Sequence, residues 1–276
     1  MAVRHPPTTL VAAYTLNHTV PLLNFFIDES ASLPVRYQRE ELCVSPPPTH
    51  HFQRGHKPRG VSYAAVTEAL SHGGAVPVDQ AAVVVFGATD PWVECLSVSL
   101  GAKSVMTVEY LGVEYEHAKL SSMRVSAFEA AVMRPDGPRF DVAIALSAFD
   151  HDGLGRYGDR LQPDGDMLAM RLAWRSLRPG GHLLLSAPVG PDLIVWNMHR
   201  RYGPIRLPRL LTGWEEVARL DWEQERLTAA ADHRRRYEPL FILRRNSTAD
   251  TADLEIQSSI DAAAVEEACA ATESGE

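Results

Sequence analysis

Three ionisable side chains, Asp150, His151 and Asp152, stand next to one another and are followed by three closely spaced glycines. An imidazole titrates near neutral pH, and a neighbouring carboxylate can orient its ring and raise its basicity. We therefore interpret His151 as a general base, with Asp150 and Asp152 beside it, that could take a proton from an acceptor hydroxyl. The alternative interpretation is a solvated surface turn, because Asp and Gly are ordinary turn residues.

A second polar segment, residues 197–209, is rich in arginine. Guanidinium groups bind phosphate, sulfate or carboxylate groups through paired hydrogen bonds. We expect this segment and the end of the first one to face each other across a cleft and to bind the substrate. The alternative is that the arginines pair with the acidic loop and hold it in place. The candidate substrate-binding residues are Arg156, Tyr157, Asp159, Asn197, His199, Arg200, Tyr202 and Arg206.

Metal binding is the weaker interpretation of the acidic residues. Asp150, Asp152, Asp159, Asp164 and Asp166 could supply oxygen ligands to a divalent cation, but their spacing does not match an EF-hand loop. His50, His51 and His56 have no acid or cysteine nearby to complete a zinc site. Cys43, Cys95 and Cys269 are odd in number and widely spaced, which indicates neither a disulfide framework nor a metal motif. We predict no metal site, and a reducing compartment is the default expectation.

A third candidate site follows the first predicted strand. The apolar run 82–86 ends in Gly87, and glycine lets a ligand approach the backbone. A helix beginning near Pro91 would offer free N–H groups, with Asp90 as its cap or as a ligand contact. Glu109 ends the next predicted strand, where an acid in nucleotide-binding α/β folds accepts hydrogen bonds from ribose hydroxyls.

Strands and helices alternate from Ala81 onward. The pattern predicts strands over 82–86, 104–108, 140–146 and 182–186 and helices over 92–100 and 166–177, with a mixed strand and helix over 124–133. Such alternation is typical of a doubly wound, mostly parallel α/β sheet of the Rossmann-like type. Segments 214–223 and 239–243 could add an antiparallel pair at one edge. In the proline-rich first 75 residues, short helices are expected over 20–27 and 61–70.

The predicted division of the chain is an N-terminal flank or lid over 1–75, the α/β domain over 76–245, and an acidic, disordered tail over 246–276. The 276 residues carry a formal charge of −8. The tail holds eight acids and no Lys or Arg, so the rest of the chain is formally neutral. A neutral domain without a basic stripe disfavours nucleic-acid binding. No apolar run is long enough to cross a bilayer and no secretory signal is evident, so a cytoplasmic location is the default.

The order of elements over residues 81–187 resembles the class I S-adenosylmethionine-dependent methyltransferases. The resemblance depends on the Gly87 loop, Glu109, the strand opening Phe140-Asp-Val, and Leu177-Arg-Pro-Gly-Gly-His-Leu, in which Pro179 should stop a helix and Gly180-Gly181 should reverse the chain. It implies S-adenosylmethionine as cofactor. The implied cofactor-binding residues are Gly87, Ala88, Thr89, Asp90, Trp92, Glu109 and Tyr110.

This loop departs from the methyltransferase pattern. Methyltransferases usually carry Gly-x-Gly-x-Gly after the first strand, whereas Thr89 and Pro91 occupy the second and third glycine positions here. Side chains therefore stand where the methionine part of the cofactor would normally lie. The Trp92 ring is more typical of a packing residue than of a stacking platform.

Residues 80–215 resemble a family of proteins of unknown function, DUF268. The matching blocks are Pro91-Trp-Val-Glu94, Gly101-Ala-Lys103, His151-Asp-Gly-Leu-Gly-Arg-Tyr-Gly-Asp159, Pro163-Asp-Gly-Asp166, Pro188-Val-Gly190 and the segment from Asn197 to Leu207. This resemblance implies the fold and assigns almost no activity.

Three hypotheses follow from these patterns. The first is a methyltransferase-like enzyme that binds S-adenosylmethionine between Gly87 and Glu109 and acts on a small polar acceptor, for which a sugar or glycan precursor is one candidate. The second, favoured by the missing glycines, is a methyltransferase fold that has lost catalysis and serves as a binding or scaffolding module. The third is a Rossmann-like enzyme using a nucleotide sugar or a dinucleotide.

Overall fold

The computed structural model describes residues 3–27, 29, 35–37, 43, 61–71, 73–87, 90–230 and 236–246. The helices are α1 (Thr8–Tyr14), α2 (Tyr63–Leu70), α3 (Trp92–Ser99), α4 (Val125–Val132), α5 (Gly165–Ser176) and α6 (Arg206–Leu210). The strands are β1 (Leu22–Leu23), β2 (Val35–Tyr37), β3 (Ala82–Phe86), β4 (Ser104–Glu109), β5 (Val113–Tyr115), β6 (Leu120–Arg124), β7 (Phe140–Leu146), β8 (Leu177–Ser186), β9 (Leu193–Val195), β10 (His199–Arg201), β11 (Trp214–Leu220) and β12 (Leu240–Arg245). Two short 3-10 helices cover Phe149–His151 and Gln224–Leu227.

A seven-stranded sheet in the order β6-β4-β3-β7-β8-β12-β11 forms the centre of the fold. The first five strands are parallel, whereas β12 runs antiparallel to β8 and β11 antiparallel to β12. This order confirms the doubly wound, mostly parallel sheet predicted from the sequence, including the antiparallel pair at one edge. The strand order reverses between β3 and β7, so the sheet has its topological switch point there.

Two apolar clusters cover the two faces of this sheet. Alternate residues of β3 belong to different clusters, with Val84 and Phe86 on the face of α4 and α5, and Val83 and Val85 on the face of α2 and α3. A strand buried on both faces must be apolar at nearly every position, which explains why β3 reads as an unbroken apolar run. The helix predicted over 61–70 is confirmed and packs on the same face as α3.

Part of the N-terminal flank packs against the carboxyl edge of the sheet. The helix predicted over 20–27 is wrong, because Leu22–Leu23 instead pair in parallel with β9 in a small three-stranded sheet that also contains β10. The sequence prediction missed α1, which begins directly after Pro7, where a missing N–H does no harm. The division at residue 75 remains a prediction, and residues 247–276 lie outside the described part of the chain.

Two local predictions are corrected by the structure. Cys43 and Cys95, which the sequence spacing left unpaired, form a disulfide with Cα atoms 4.8 Å apart. Helix α5 ends at Ser176, three residues before the proline that was expected to stop it, and the turn residues already belong to β8. Gly180 adopts a positive φ of 80° there. Within the described ranges, no helix has the length and apolar character needed to span a membrane.

A buried carboxylate, Asp166 at the start of α5, connects the loops above the sheet. Its oxygens accept hydrogen bonds from Arg206 Nη2 at 2.9 and 3.2 Å and from the Tyr202 hydroxyl at 3.0 Å, and Arg200 Nε lies 3.6 Å away. All four side chains are fully buried. Burial alone would raise the pKa of Asp166, but the charges of Arg200 and Arg206 outweigh it and hold the pKa below its ordinary value.

Removing this carboxylate should destabilise the fold strongly. The Asp166→Ala substitution would leave two buried guanidinium groups without their counter-charge, for which the expected loss is about 3–5 kcal/mol in the free energy of unfolding. Urea denaturation followed by circular dichroism measures this loss. The matched control is Glu216→Ala, which breaks a partly exposed pair with Arg219 and should change stability by less than about 1 kcal/mol. Equal losses in the two variants would contradict the role assigned to Asp166.

Candidate functional site

The candidate site lies where the loops after β3, β4 and β7 meet at the switch point. Gly87, directly after β3, has a φ of +70°, and a Cβ atom added there would lie 2.8 Å from the Cβ of Ala148, after β7. Any side chain at position 87 would therefore be strained and would push the two loops apart. Open α/β sheets hold their ligands in the crevice above such a point.

Glu109 ends β4 on the other side of β3. One of its carboxylate oxygens accepts the backbone N–H of Tyr110 at 2.8 Å, which fixes the side chain at the edge of the sheet. The Tyr110 hydroxyl hydrogen-bonds Asp152 in the loop after β7. Burial raises the pKa of Tyr110, and the charge of Asp152 raises it further. The pair Tyr110–Asp152 thus connects the two loops that flank β3.

The central pair of the site is formed by Asp150 and His151, which lie in the 3-10 helix after β7. His151 Nδ1 contacts the backbone carbonyl of Met198. Because a carbonyl can only accept, the neutral ring carries its proton on Nδ1 and presents the Nε2 lone pair. That nitrogen lies 3.4 Å from Asp150 Oδ2. A single proton can therefore be placed between Asp150 and His151.

The pKa values place this proton on Asp150. Burial raises the pKa of Asp150 to about 7, partly opposed by the charge of Arg236. Burial lowers the pKa of His151 to about 3, and the charges of Arg236 and Arg156 lower it further. The expectation that a neighbouring carboxylate raises the basicity of His151 is wrong, because burial and the arginine charges lower the pKa of the ring. The ring is oriented by the Met198 carbonyl.

Burial and a like charge also affect Asp152. Burial raises the pKa of its carboxyl well above the ordinary value, and the charge of Asp159 raises it further. Asp152 therefore differs from Asp166, whose counter-charges keep it ionised.

Three further polar residues join this pair, and the sequence analysis gave none of them a catalytic role. Glu238, just before β12, accepts a hydrogen bond from Ser147 Oγ at 3.3 Å. Arg236 Nη1 donates to the same Ser147 oxygen at 3.3 Å and lies 3.7 Å from Glu238 Oε1. Burial raises the pKa of Glu238 to about 8, and the charge of Asp150 adds to the rise. His199 lies beside them, with its ring centroid 6.5 Å from that of His151. We call the following set the polar compartment: Ser147, Asp150, His151, His199, Arg236 and Glu238.

The signal that could have identified Glu238 is weak. An acid directly before the proline and the apolar run of a predicted strand is unusual in a core position, but nothing in its spacing connects it to residue 150. The connection arises because β12 inserts beside β8 and thereby brings residue 238 to the carboxyl edge of the parallel strands.

Several predicted substrate-binding residues are buried in contacts with the protein itself. Arg200 donates to the carbonyls of Asp152 at 2.6 Å and Pro163 at 3.0 Å. Arg206 and Tyr202 bind Asp166, as described above. Asn197 Oδ1 accepts the N–H of Ile27 at 2.7 Å. These contacts correspond to the alternative in which the arginine-rich segment holds the acidic loop in place, and the four side chains form no part of the site that we propose.

The end of the acidic loop contacts the flank. Arg156 pairs with Glu29 through Nη2 at 3.0 Å, and its guanidinium lies over the ring of Tyr157. The Tyr157 ring lies 6.0 Å from that of His151. Asp159 accepts backbone N–H groups of residues 155 and 157 and closes the loop. Of the candidate substrate-binding residues, Tyr157 and His199 therefore lie beside the catalytic candidates, since both rings are close to that of His151.

The glycine loop is only partly described. Ala88 and Thr89 lie outside the described residues. The N-cap of α3 is Pro91, which makes no side-chain cap, so the predicted cap at Asp90 is wrong. The Trp92 ring packs against Tyr63 of α2 with centroids 5.0 Å apart. Among the residues that the structure describes, no group of three or more His, Cys, Asp and Glu side chains is arranged to hold a metal ion.

A family model described as "Caenorhabditis protein of unknown function, DUF268" matches residues 80–248. The match includes β3, β4, β7 and β12 and every residue of the polar compartment. No curated protein matches the chain.

Solved structures with a similar fold include several methyltransferases. A putative S-adenosylmethionine-dependent methyltransferase from Listeria monocytogenes is 12% identical with a TM-score of 0.44, covering 67% of this chain and 98% of that one. A putative hemolysin from Streptococcus thermophilus is 15% identical with a TM-score of 0.43 and 79% coverage of each chain. SMU.776, a putative methyltransferase complexed with SAH, is 10% identical with a TM-score of 0.39; the match covers 61% of this chain and 46% of that one, less than half its length. At such scores, these similarities say nothing about what this chain binds.

Replacing Glu238 by Gln should change how stability depends on pH. A carboxyl whose pKa is raised in the folded state stabilises the fold below its ordinary pKa and loses that contribution as the pH rises through the folded value. His151 and His199, with pKa values lowered to about 3 from 6.5, act in the opposite direction below pH 6.5. From pH 6.5 to the folded pKa of Glu238 at about 8, the free energy of unfolding of the unsubstituted protein should therefore fall by about 2 kcal/mol more than that of Glu238→Gln.

Urea denaturation at the two pH values measures this difference. Glu216→Gln, on the partly exposed surface of β11, is the matched control and should follow the unsubstituted protein. Parallel pH profiles for Glu238→Gln and the unsubstituted protein would show that Glu238 is ionised in the folded state.

Proposed function

The chain belongs to the family described as DUF268, Caenorhabditis protein of unknown function, and we propose that it binds S-adenosylmethionine and transfers its methyl group to a small polar acceptor. The observation that supports this function best is the meeting of Gly87, Ala148 and Glu109 at the switch point of the sheet. A glycine and an acid at successive strand ends are the groups that nucleoside-containing ligands use in doubly wound sheets.

The residues present fit such a cofactor at two points. Gly87 has a left-handed backbone that leaves the turn after β3 without a side chain. Glu109 is only half-buried and lies at the carboxyl end of β4, where ribose hydroxyls could donate to it. When bound, the cofactor supplies an electrophilic methyl group. The chain itself must then orient the acceptor and receive its proton.

Asp150 is the proposed proton acceptor of the reaction. A base is most effective when its pKa lies near the working pH, and the pKa of Asp150 is about 7, whereas that of His151 is about 3. His151 would act beside it, because its Nε2 lone pair faces Asp150 and can share the proton that arrives there. This assignment reverses the roles that the sequence suggested for the two residues.

A small acceptor is favoured over a macromolecule by the position of these groups. Asp150 is fully buried and His151 nearly so, and the preceding residues Ser147 and Ala148 are half-buried, so no wide surface is open to a large acceptor at these positions. A scaffolding module without catalysis is the second candidate function, and the observation that favours it is the pair of replaced glycines at positions 89 and 91.

Calorimetric titration with S-adenosylmethionine tests the proposal. We expect binding to the unsubstituted protein, and Glu109→Ala should weaken it by about tenfold, because it removes a charge-assisted hydrogen bond to the ribose. The matched control is Glu114→Ala on β5, an exposed acid paired with Arg36, which should leave the affinity unchanged.

Two further variants separate the roles of the site. Asp150→Asn and His151→Ala should bind the cofactor within about twofold of the unsubstituted protein, because they act on the acceptor's proton rather than on the ribose. If the folded protein does not bind S-adenosylmethionine at millimolar concentration, the methyltransferase function is contradicted and the scaffolding function is the candidate that remains. Loss of binding in the Asp150 and His151 variants, with none in Glu109→Ala, would overturn the assigned roles.

A further inference from the structure

Several buried polar atoms of the polar compartment have no hydrogen-bond partner among the described residues. They are Oε2 of Glu238, Nδ1 of His199 and both carboxyl oxygens of Asp150, of which Oδ2 lies 3.4 Å from His151 Nε2 without a hydrogen bond in the structure. The side chains of Asp150 and Glu238 are fully buried, and His199 is 2% exposed. Leaving one buried polar group unpaired costs about 1–3 kcal/mol, so four such atoms in one place indicate that partners come from outside the described residues, as a bound ligand would.

The backbone at the border of the compartment is strained. Ser147 has a φ of +52°, in the left-handed region that non-glycine residues seldom adopt. Its N–H donates to the carbonyl of Ser186 and its hydroxyl contacts both Glu238 and Arg236. Such outliers persist where the surroundings fix them, and they concentrate at ligand-binding sites. Ser147 and Arg236 are only partly buried, so the compartment borders solvent through them.

From these contacts, we propose that the polar compartment binds the hydroxyl groups of a neutral polyhydroxylated molecule, such as a cyclic polyol or a sugar, with Glu238 and Ser147 as its specificity-determining residues. This inference rests on the proposed function, in which that molecule is the methyl acceptor. Each hydroxyl of a polyol can donate to one unpaired atom and accept from another, which matches a set of carboxyl, imidazole and serine groups.

The charges around the compartment argue against the other small-ligand classes. An anion would meet two carboxyl groups, Asp150 and Glu238. A cation would be repelled by Arg236. The charges of Arg236 and Arg156 lower the pKa values of both His151 and His199, which shows that a positive potential extends over this part of the compartment. Burial raises the pKa of Glu238 to about 8 and that of Asp150 to about 7, so near neutral pH Glu238 is mostly protonated and Asp150 is about half ionised. A protonated carboxyl can both donate and accept a hydrogen bond.

Ligand-observed saturation-transfer NMR on the full chain tests the proposal. The neutral probes are myo-inositol and methyl α-glucoside, with ethanolamine as the cationic probe and glycolate as the anionic one. We expect transfer to a neutral probe and none to the charged ones. Glu238→Leu and Ser147→Gly should weaken polyol binding by about tenfold, since each removes a hydrogen-bonding group. Ser147→Gly relieves the positive φ, so a loss of binding in this variant reports the missing hydroxyl and not a strained backbone.

Glu238→Gln is the decisive comparison. A glutamine keeps both a donor and an acceptor, as a protonated carboxyl does, so polyol binding should stay within about threefold of the unsubstituted protein. Binding of ethanolamine alone, with its loss in Glu238→Gln, would overturn the proposal in favour of a cationic ligand. The proposal is also overturned if neither myo-inositol nor methyl α-glucoside shows saturation transfer.

The cofactor titration on the same sample separates this inference from the proposed function. Cofactor binding without polyol binding contradicts only the polyol site. Polyol binding without cofactor binding contradicts the methyltransferase function and leaves the polyol site standing.

Discussion

The ion-pair network around Asp166 is the interaction on which the arrangement above the sheet depends. A loop that carries three acids and three glycines has no apolar core of its own, and its backbone carbonyls must be satisfied by other groups. Arg200 satisfies the carbonyls of Asp152, Gln162 and Pro163, and Asp166 holds both Arg200 and Arg206. The segments after β7 and after β8 are thereby fixed to α5 by the contacts of Asp166 with Arg200 and Arg206.

The fixed network leaves the neighbouring acids in a different electrostatic state. Among the described residues, no guanidinium is in bidentate contact with Asp150 or Glu238, and burial dominates the pKa values of these two carboxyls. Asp166, in contrast, is held ionised by two arginines. The acids at the carboxyl edge of the sheet are therefore of two kinds. Asp166 stays ionised and stabilises the fold, whereas Asp150 and Glu238 gain or lose a proton near neutral pH. This division separates the residues that build the site from those that could handle a proton there.

Most of the sheet was predictable because its strands are buried on both faces. Continuous apolar runs such as 82–86 and 142–146 are typical of strands buried on both faces, and the helices between the strands favour parallel order. The short elements β1, β9 and β10 were not predictable, since they depend on pairing between residues far apart in the chain. The ionisable residues at positions 150–152 identified the loop in the sequence. The raised pKa values of particular carboxyls and the contact of the His151 ring with the Met198 carbonyl depend on tertiary packing, so the sequence could not predict them.

The crossing of distant segments at the carboxyl edge also determines when the site can exist. Tyr14 donates to the carbonyl of Gly153, 139 positions later, and Trp196 Nε1 donates to the carbonyl of Val3, 193 positions earlier. Glu238 lies just before β12, the last strand in the described part of the chain. Contacts of such sequence separation form slowly because the long loops between them must close first. During synthesis the parallel strands can therefore associate before Glu238 is present to complete the polar compartment. The compartment forms only when the N-terminal segment and the last described strand have both packed against the sheet.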